Sequence, residues 1–131
     1  MKLQQKHDVT VTDTFWSRYI DLVKEKVIPY QWEALNDRVE GAAPSHAIKN
    51  FKIAAGEEQG EFHGLVFQDS DVAKWIEAVA YILKERADQE LEKICDEAIA
   101  LIERAQQPDG YLNTYYTVKE PNKRWTNLRD N

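Results

Sequence analysis

The sequence predicts an all-α chain with a short N-terminal strand and an aromatic extended segment near its C-terminus. Three observations carry that expectation: two long apolar stripes at helical spacing, a very short link between them, and Pro and Gly confined to the surrounding segments. The first stripe is Val72, Trp75, Ile76, Val79, Ala80 and Leu83, at i, i+3, i+4 and i+7 spacing. The second is Leu91, Ile94, Cys95, Ala98, Leu101, Ile102 and Ala105. Ser70 and Asp88 stand where helix N-caps belong, and the link Arg86, Ala87, Asp88 forces an antiparallel hairpin of helices.

The elements before the hairpin follow in chain order. Residues 9–11 alternate apolar and polar, a short strand signal. Asp13 or Thr14 caps a helix whose apolar positions are Phe15, Trp16, Tyr19, Ile20, Val23 and Val27. Pro29 lacks a backbone donor and is expected to end or kink that helix near Ile28, leaving Trp32 and Leu35 on a separate turn. Four of the five glycines fall in the loose segment 36–69, where Ser45 is expected to cap a short helix carrying Ala47, Ile48, Phe51 and Ala55, stopped by Gly56. After the hairpin, Gln107, Pro108, Asp109 and Gly110 make a tight turn, and residues 111–118 are read as extended and aromatic.

The 131 residues suit one domain, 1–131, burying roughly two-thirds of the unfolded chain's surface. A net charge of −6 argues against nucleic acid as partner. The longest apolar run, residues 78–83, is far short of the ~20 residues a membrane span needs. One cysteine excludes an internal disulfide, and residues 1–8 show no apolar leader, so a cytoplasmic protein is expected. The stripes ask for more apolar partner surface than the chain offers. Trp16, Trp32, Trp75 and Trp125 lie in four separate segments and are not all expected in one core. The chain is therefore read either as self-associating or as part of something larger.

Two clusters are candidates for chemistry. Gln68, Asp69, Ser70 and Asp71 sit where loop becomes helix; such groups hold sugar hydroxyls or act as an acid/base pair, but they also suit a helix start. The run 109–116 interleaves Asn113 and Thr114 with Tyr111, Tyr115 and Tyr116, as carbohydrate sites do, and equally as a strand covering the helices would. Glu57, Glu58 and Glu61 with His63 are read as solvated loop charges, and His7, His46 and His63 as too scattered for a shared site. Cys95 lies on an apolar stripe and is read as core.

Several segments together resemble the opening of the glycoside hydrolase family 127 catalytic domain, the β-L-arabinofuranosidase family. They are residues 9–16, 27–32, 50–56, 62–64, 66–72, 74–78, 104–115 and 124–129, with FQDSDV before Lys74–Trp75 and RAQQPDGYLNTYYT the most specific phrases. The resemblance implies the opening helices of an (α/α)6 barrel followed by β-rich domains. It also implies removal of terminal β-L-arabinofuranose with retention, from an arabinose-containing oligosaccharide. A cysteine nucleophile, an acid/base glutamate and a zinc ion on cysteines and a glutamate belong to that picture, and none of those positions maps here. The family's His-Glu-Leu-Tyr segment would begin just beyond Asn131. On this reading the chain is an N-terminal fragment, inactive alone, with neither zinc ligands nor nucleophile.

In α/α barrels the ends of inner helices line the central cleft. Gln68, Asp69, Asp71, Lys74 and Trp75 at one helix start, with Asn113, Thr114 and Tyr115 after the next helix, are the expected substrate-binding residues. Two other readings stand beside this one: a stand-alone helical module that oligomerises or docks through its apolar stripes, and another sugar-active α/α-barrel enzyme.

Overall fold

Asp13 starts the first helix, its Oδ1 accepting the Trp16 N–H at 2.8 Å. In the computed structural model, which describes residues 10–126, α1 spans Thr14–Leu22. Its backbone continues without a break through a π-helical turn, Val23–Val27, into α2, Ile28–Leu35. Of the two outcomes expected at Pro29, an end or a kink, the helix does not end there. The Ile28 N–H reaches back five residues to the Val23 carbonyl, and this π register lies directly before Pro29, which has no N–H to bond into the run. Trp32 and Leu35 therefore ride on the same helical run rather than on a separate turn.

The α3 helix, Ala47–Ala54, is capped differently from the expectation for Ser45. His46 occupies the N-cap in a left-handed conformation (φ 59°), and Asp37 Oδ1 accepts its N–H at 2.8 Å. At the other end Gly56, at φ 75°, lets the Gly56 and Glu57 N–H groups bond back to the Ile53 and Lys52 carbonyls. The following loop is pinned to α3 by the buried Asn50 side chain. Its amide donates to the His63 carbonyl at 2.8 Å and accepts the His63 N–H at 3.2 Å.

The hairpin forms as the stripes require, α4 at Asp69–Glu85 and α5 at Gln89–Ala105. Asp88 caps α5, accepting the Leu91 N–H at 3.1 Å. Ser70, however, lies inside α4, whose N-cap is Gln68. The turn after α5 closes through Gly110 N–H to the Gln107 carbonyl at 2.8 Å. Residues 114–118 then depart from the extended reading: α6 covers Thr114–Val118, because Asn113 caps it by accepting the Tyr116 N–H at 2.9 Å. A 3-10 turn follows at Pro121–Lys123. Among the described residues there is no strand. Thr10 and Val11 take none, and Val9, like residues 127–129 of the matched segments, lies outside the described residues.

The core is built from α2 to α5, with Ile28, Phe51, Val72, Trp75, Val79, Leu101 and Ala105 all essentially sealed from water. Cys95 joins them on the inner stripe of α5. Trp32 and Trp75 do meet, stacked at 4.4 Å between ring centroids, whereas Trp16 and Trp125 are 60% and 65% exposed. None of the α1 side chains is buried; Phe15 packs edge to face on both Trp16 and Tyr19 in the open. No helix among the described residues is long and apolar enough to cross a membrane.

Candidate functional site

A groove of about 330 Å³ runs between α2 and the first turns of α4. Its floor is apolar, made by Ala34, Leu35, Ala78 and the edge of Trp75, and its rim carries Gln31, Ser45, Asp71 and Lys74. Three of the rim side chains, Ser45, Asp71 and Lys74, are joined through Gln68 beside the groove. Gln68 Nε2 donates to Ser45 Oγ at 3.4 Å and to Asp71 Oδ2 at 3.3 Å, while its Oε1 accepts the Leu65 N–H at 3.4 Å. Lys74 Nζ donates to Asp71 Oδ1 at 3.3 Å and to Ser70 Oγ at 3.2 Å. Lys74 stays largely in solvent, so its ammonium keeps donor capacity for a ligand in the groove. A mostly apolar concavity with a few convergent polar groups is the form that small-molecule sites take.

The remaining expected residues take other positions. Trp75 touches the groove but is only 2% exposed; its indole N–H donates to the Ile28 carbonyl at 3.1 Å and its ring is covered by Trp32. Asp69 faces the other side of α4. Its two carboxylate oxygens accept the Thr114 N–H at 2.7 Å and the Thr114 hydroxyl at 2.6 Å, tying the heads of α4 and α6 together. Burial raises the Asp69 pKa from its ordinary value, and the two Thr114 bonds oppose that rise. Asn113 reaches the same junction, donating to the Val66 carbonyl at 3.3 Å.

Tyr115 packs edge to face on Phe62 at 5.1 Å, and its hydroxyl donates to Glu120 Oε2 at 3.1 Å. That bond, with some burial, raises the Tyr115 pKa. The eight expected residues thus divide into a groove set (Gln68, Asp71, Lys74, with the edge of Trp75) and a junction set (Asp69, Asn113, Thr114, with Tyr115 beside it).

Two groups escaped sequence reasoning. Gln31 and Ser45 complete the groove rim, and nothing local marked them, since the groove arises only when α2 and the 45 loop pack on α4. His46 and His63, read as scattered, come to 5.0 Å between ring centroids because Asn50 holds the 63 loop against α3. Among the described residues no three His, Cys, Asp or Glu side chains converge to hold a metal ion. The zinc that the family resemblance implies finds no fitting ligand set among them.

The all-helical fold is that of the α/α-barrel catalytic domains of the GH127 class, as comparison with known proteins shows. Residues 8–130 match the model of the β-L-arabinofuranosidase, GH127 catalytic domain, and the chain belongs to that family. A curated non-reducing end β-L-arabinofuranosidase of Bifidobacterium longum subsp. longum is 49% identical over 124 residues, 86% of this chain and 19% of the relative. A crystal structure of a GH127 β-L-arabinofuranosidase from Geobacillus stearothermophilus T6 superposes with a TM-score of 0.92 at 70% identity, over 95% of this chain and 20% of that one. A second GH127 β-arabinofuranosidase structure gives a TM-score of 0.71 at 32% identity, over 82% and 16%. The chain thus spans about a fifth of the length of these relatives, in the N-terminal part of the catalytic domain.

Proposed function

We propose that these helices are the opening of the barrel of a retaining glycoside hydrolase that removes terminal β-L-arabinofuranose from arabinose-containing oligosaccharides. In it the groove beside Ser45 forms one wall of the sugar cleft. The observation that carries this reading is the connected rim of Ser45, Gln68, Asp71 and Lys74 over an apolar floor. Carboxylate, amide and ammonium groups bond sugar hydroxyls, and the floor accepts the C–H face of the ring. The names of the relatives supply the sugar. The cysteine nucleophile, the acid/base glutamate and the zinc are supplied by other parts of the catalytic domain, so the 131-residue chain alone does not hydrolyse arabinofuranosides. The compartment we propose is the cytoplasm, consistent with a single free, buried cysteine.

The test is made in an active enzyme containing these residues. Asp71→Asn and Lys74→Ala each raise KM about tenfold, while kcat falls by less than about threefold, because the groups bind substrate without touching the reacting bond. Unchanged KM in both variants would sink the assignment.

A second reading, self-association, is favoured by one observation: the α1 aromatics Phe15 and Trp16 are 55% and 60% exposed. Light scattering on the chain tests it. A strictly monomeric species at high concentration removes that reading and leaves the first untouched.

A further inference from the structure

We infer that the concavity between the turn after α5 and Trp125 is a second saccharide-binding site, in which Trp125 stacks on the face of one neutral sugar ring. The inference rests on the carbohydrate chemistry of the proposed function but concerns different residues from the groove beside Ser45. Asp69 and Asp71 are two residues apart on the first turn of α4. Asp71 lines that groove, whereas Asp69 ties α4 to Thr114, next to Asn113 in the second concavity.

The second concavity has a volume of about 460 Å³, within the range of small-molecule sites. Trp125 lines it with 65% of its surface exposed, which leaves a ring face open to the concavity. Its backbone is held left-handed, at φ 62°, where a bulky side chain is strained. Such strain persists only where surrounding contacts fix it, and it concentrates at ligand sites. The contacts are specific here. Trp125 sits edge to face with Tyr111 at 5.0 Å, and Tyr111, only 8% exposed, has the Arg124 guanidinium over its ring at 4.5 Å. Arg124 also reaches Thr117 Oγ1 at 3.5 Å. The indole is therefore presented on a fixed base.

The polar complement is Asp109. Its Oδ1 accepts the Tyr111 N–H at 3.1 Å, Arg124 lies 3.8 Å from its Oδ2, and 65% of the side chain remains in solvent. A carboxylate so placed accepts two adjacent sugar hydroxyls and repels a uronic acid. With Arg124 held on Tyr111 and Thr117, the site selects a neutral sugar. Gln106 Nε2 steadies the floor by donating to the Gly110 carbonyl at 2.9 Å.

The experiment is a titration of the full chain, with its tryptophan indoles labelled by ¹⁵N, against a β-linked arabinofuranosyl disaccharide and, separately, galacturonic acid. The Trp125 indole N–H resonance is expected to shift saturably with the disaccharide and not with galacturonic acid. Trp125→Gly relieves the left-handed backbone, so the variant keeps or raises its melting temperature while binding at this site weakens about tenfold or more. Asp71→Asn leaves the Trp125 titration unchanged. A Trp125 resonance that stays still while groove residues shift overturns this inference and leaves the proposed function standing. Silence at both sites overturns this inference, while the proposed function stands or falls with the KM of Asp71→Asn and Lys74→Ala in the active enzyme. Full binding by Trp125→Gly overturns the stacking role, and equal binding of galacturonic acid overturns the neutral-sugar assignment.

Discussion

Asp69 accepts both the backbone N–H and the hydroxyl of Thr114, at 2.7 and 2.6 Å, and so joins two helix starts that lie 45 residues apart. The bond pair fixes where α6 and the preceding turn sit relative to α4. Removing the carboxylate with Asp69→Ala strands two donors in a partly buried place and should cost about 1–3 kcal/mol in urea unfolding. Asp69→Asn should be much milder, since an amide can accept the N–H and donate to the hydroxyl oxygen.

The same residue predicts a pH signature. Its pKa is raised in the folded chain, because burial outweighs the two bonds from Thr114. The folded state therefore holds this proton to higher pH than the unfolded state, and stability from this group falls as pH rises through the window above 3.8. Unfolding measured from pH 3 to 7 should show that slope in the parent and lose it in Asp69→Asn.

Asp88 predicts the opposite slope. The Leu91 N–H, and then Lys24 at 3.2 Å, hold its carboxyl below the ordinary value of 3.8. Its contribution is complete above 3.8 and is lost as pH falls through the depressed folded value. Asp88→Ala should flatten the acid limb of the stability curve. Asp88→Asn, which keeps the cap but not the charge, should retain more stability at neutral pH than Asp88→Ala.

Trp75 is where the core is most exposed to mutation. It is 2% exposed, stacks on Trp32 at 4.4 Å and donates its N–H to the Ile28 carbonyl. Trp75→Ala leaves a cavity and removes the indole bond to the Ile28 carbonyl, and should cost about 3–5 kcal/mol by denaturant titration. Trp16→Ala, on the exposed face of α1, should change stability by less than about 0.5 kcal/mol.

Gly64 governs the groove from outside it. Its φ is 101°, and a Cβ added there would meet Gln68 Oε1 at 2.9 Å. Gly64→Ala should cost about 1–2 kcal/mol in backbone strain and push the Gln68 amide off Ser45. In an active enzyme containing these residues, a rise in KM with little change in kcat would follow, and an unaltered KM would detach Gln68 from substrate binding.

Sequence patterning gave the helical class, the α4–α5 hairpin, the Asp88 cap, the turn at Gly110 and the buried place of Cys95. Each depends on neighbours within a few residues. It missed the continuation through Pro29, because a π turn can absorb a missing donor and periodicity carries no trace of that choice. It misplaced the caps at Ser45 and Ser70, since a residue suited to capping competes with backbone geometry that the loop decides. It read residues 114–118 as extended, where the Asn113 cap starts a helix.

The specific phrases around FQDSDV and DGYLNTYYT pointed to the family from sequence alone, and the family match over residues 8–130 agrees. Tertiary structure decided which members of those phrases share a site. Asp69 and Asp71 differ by two positions, yet helical rotation aims one at Thr114 and the other at the groove. Trp32 and Trp75 meet only because α2 and α4 pack side by side, and His46 and His63 because Asn50 holds the 63 loop against α3. Local propensity sets which elements form. The faces they turn to one another are fixed by burial, whose energy depends on the whole assembly.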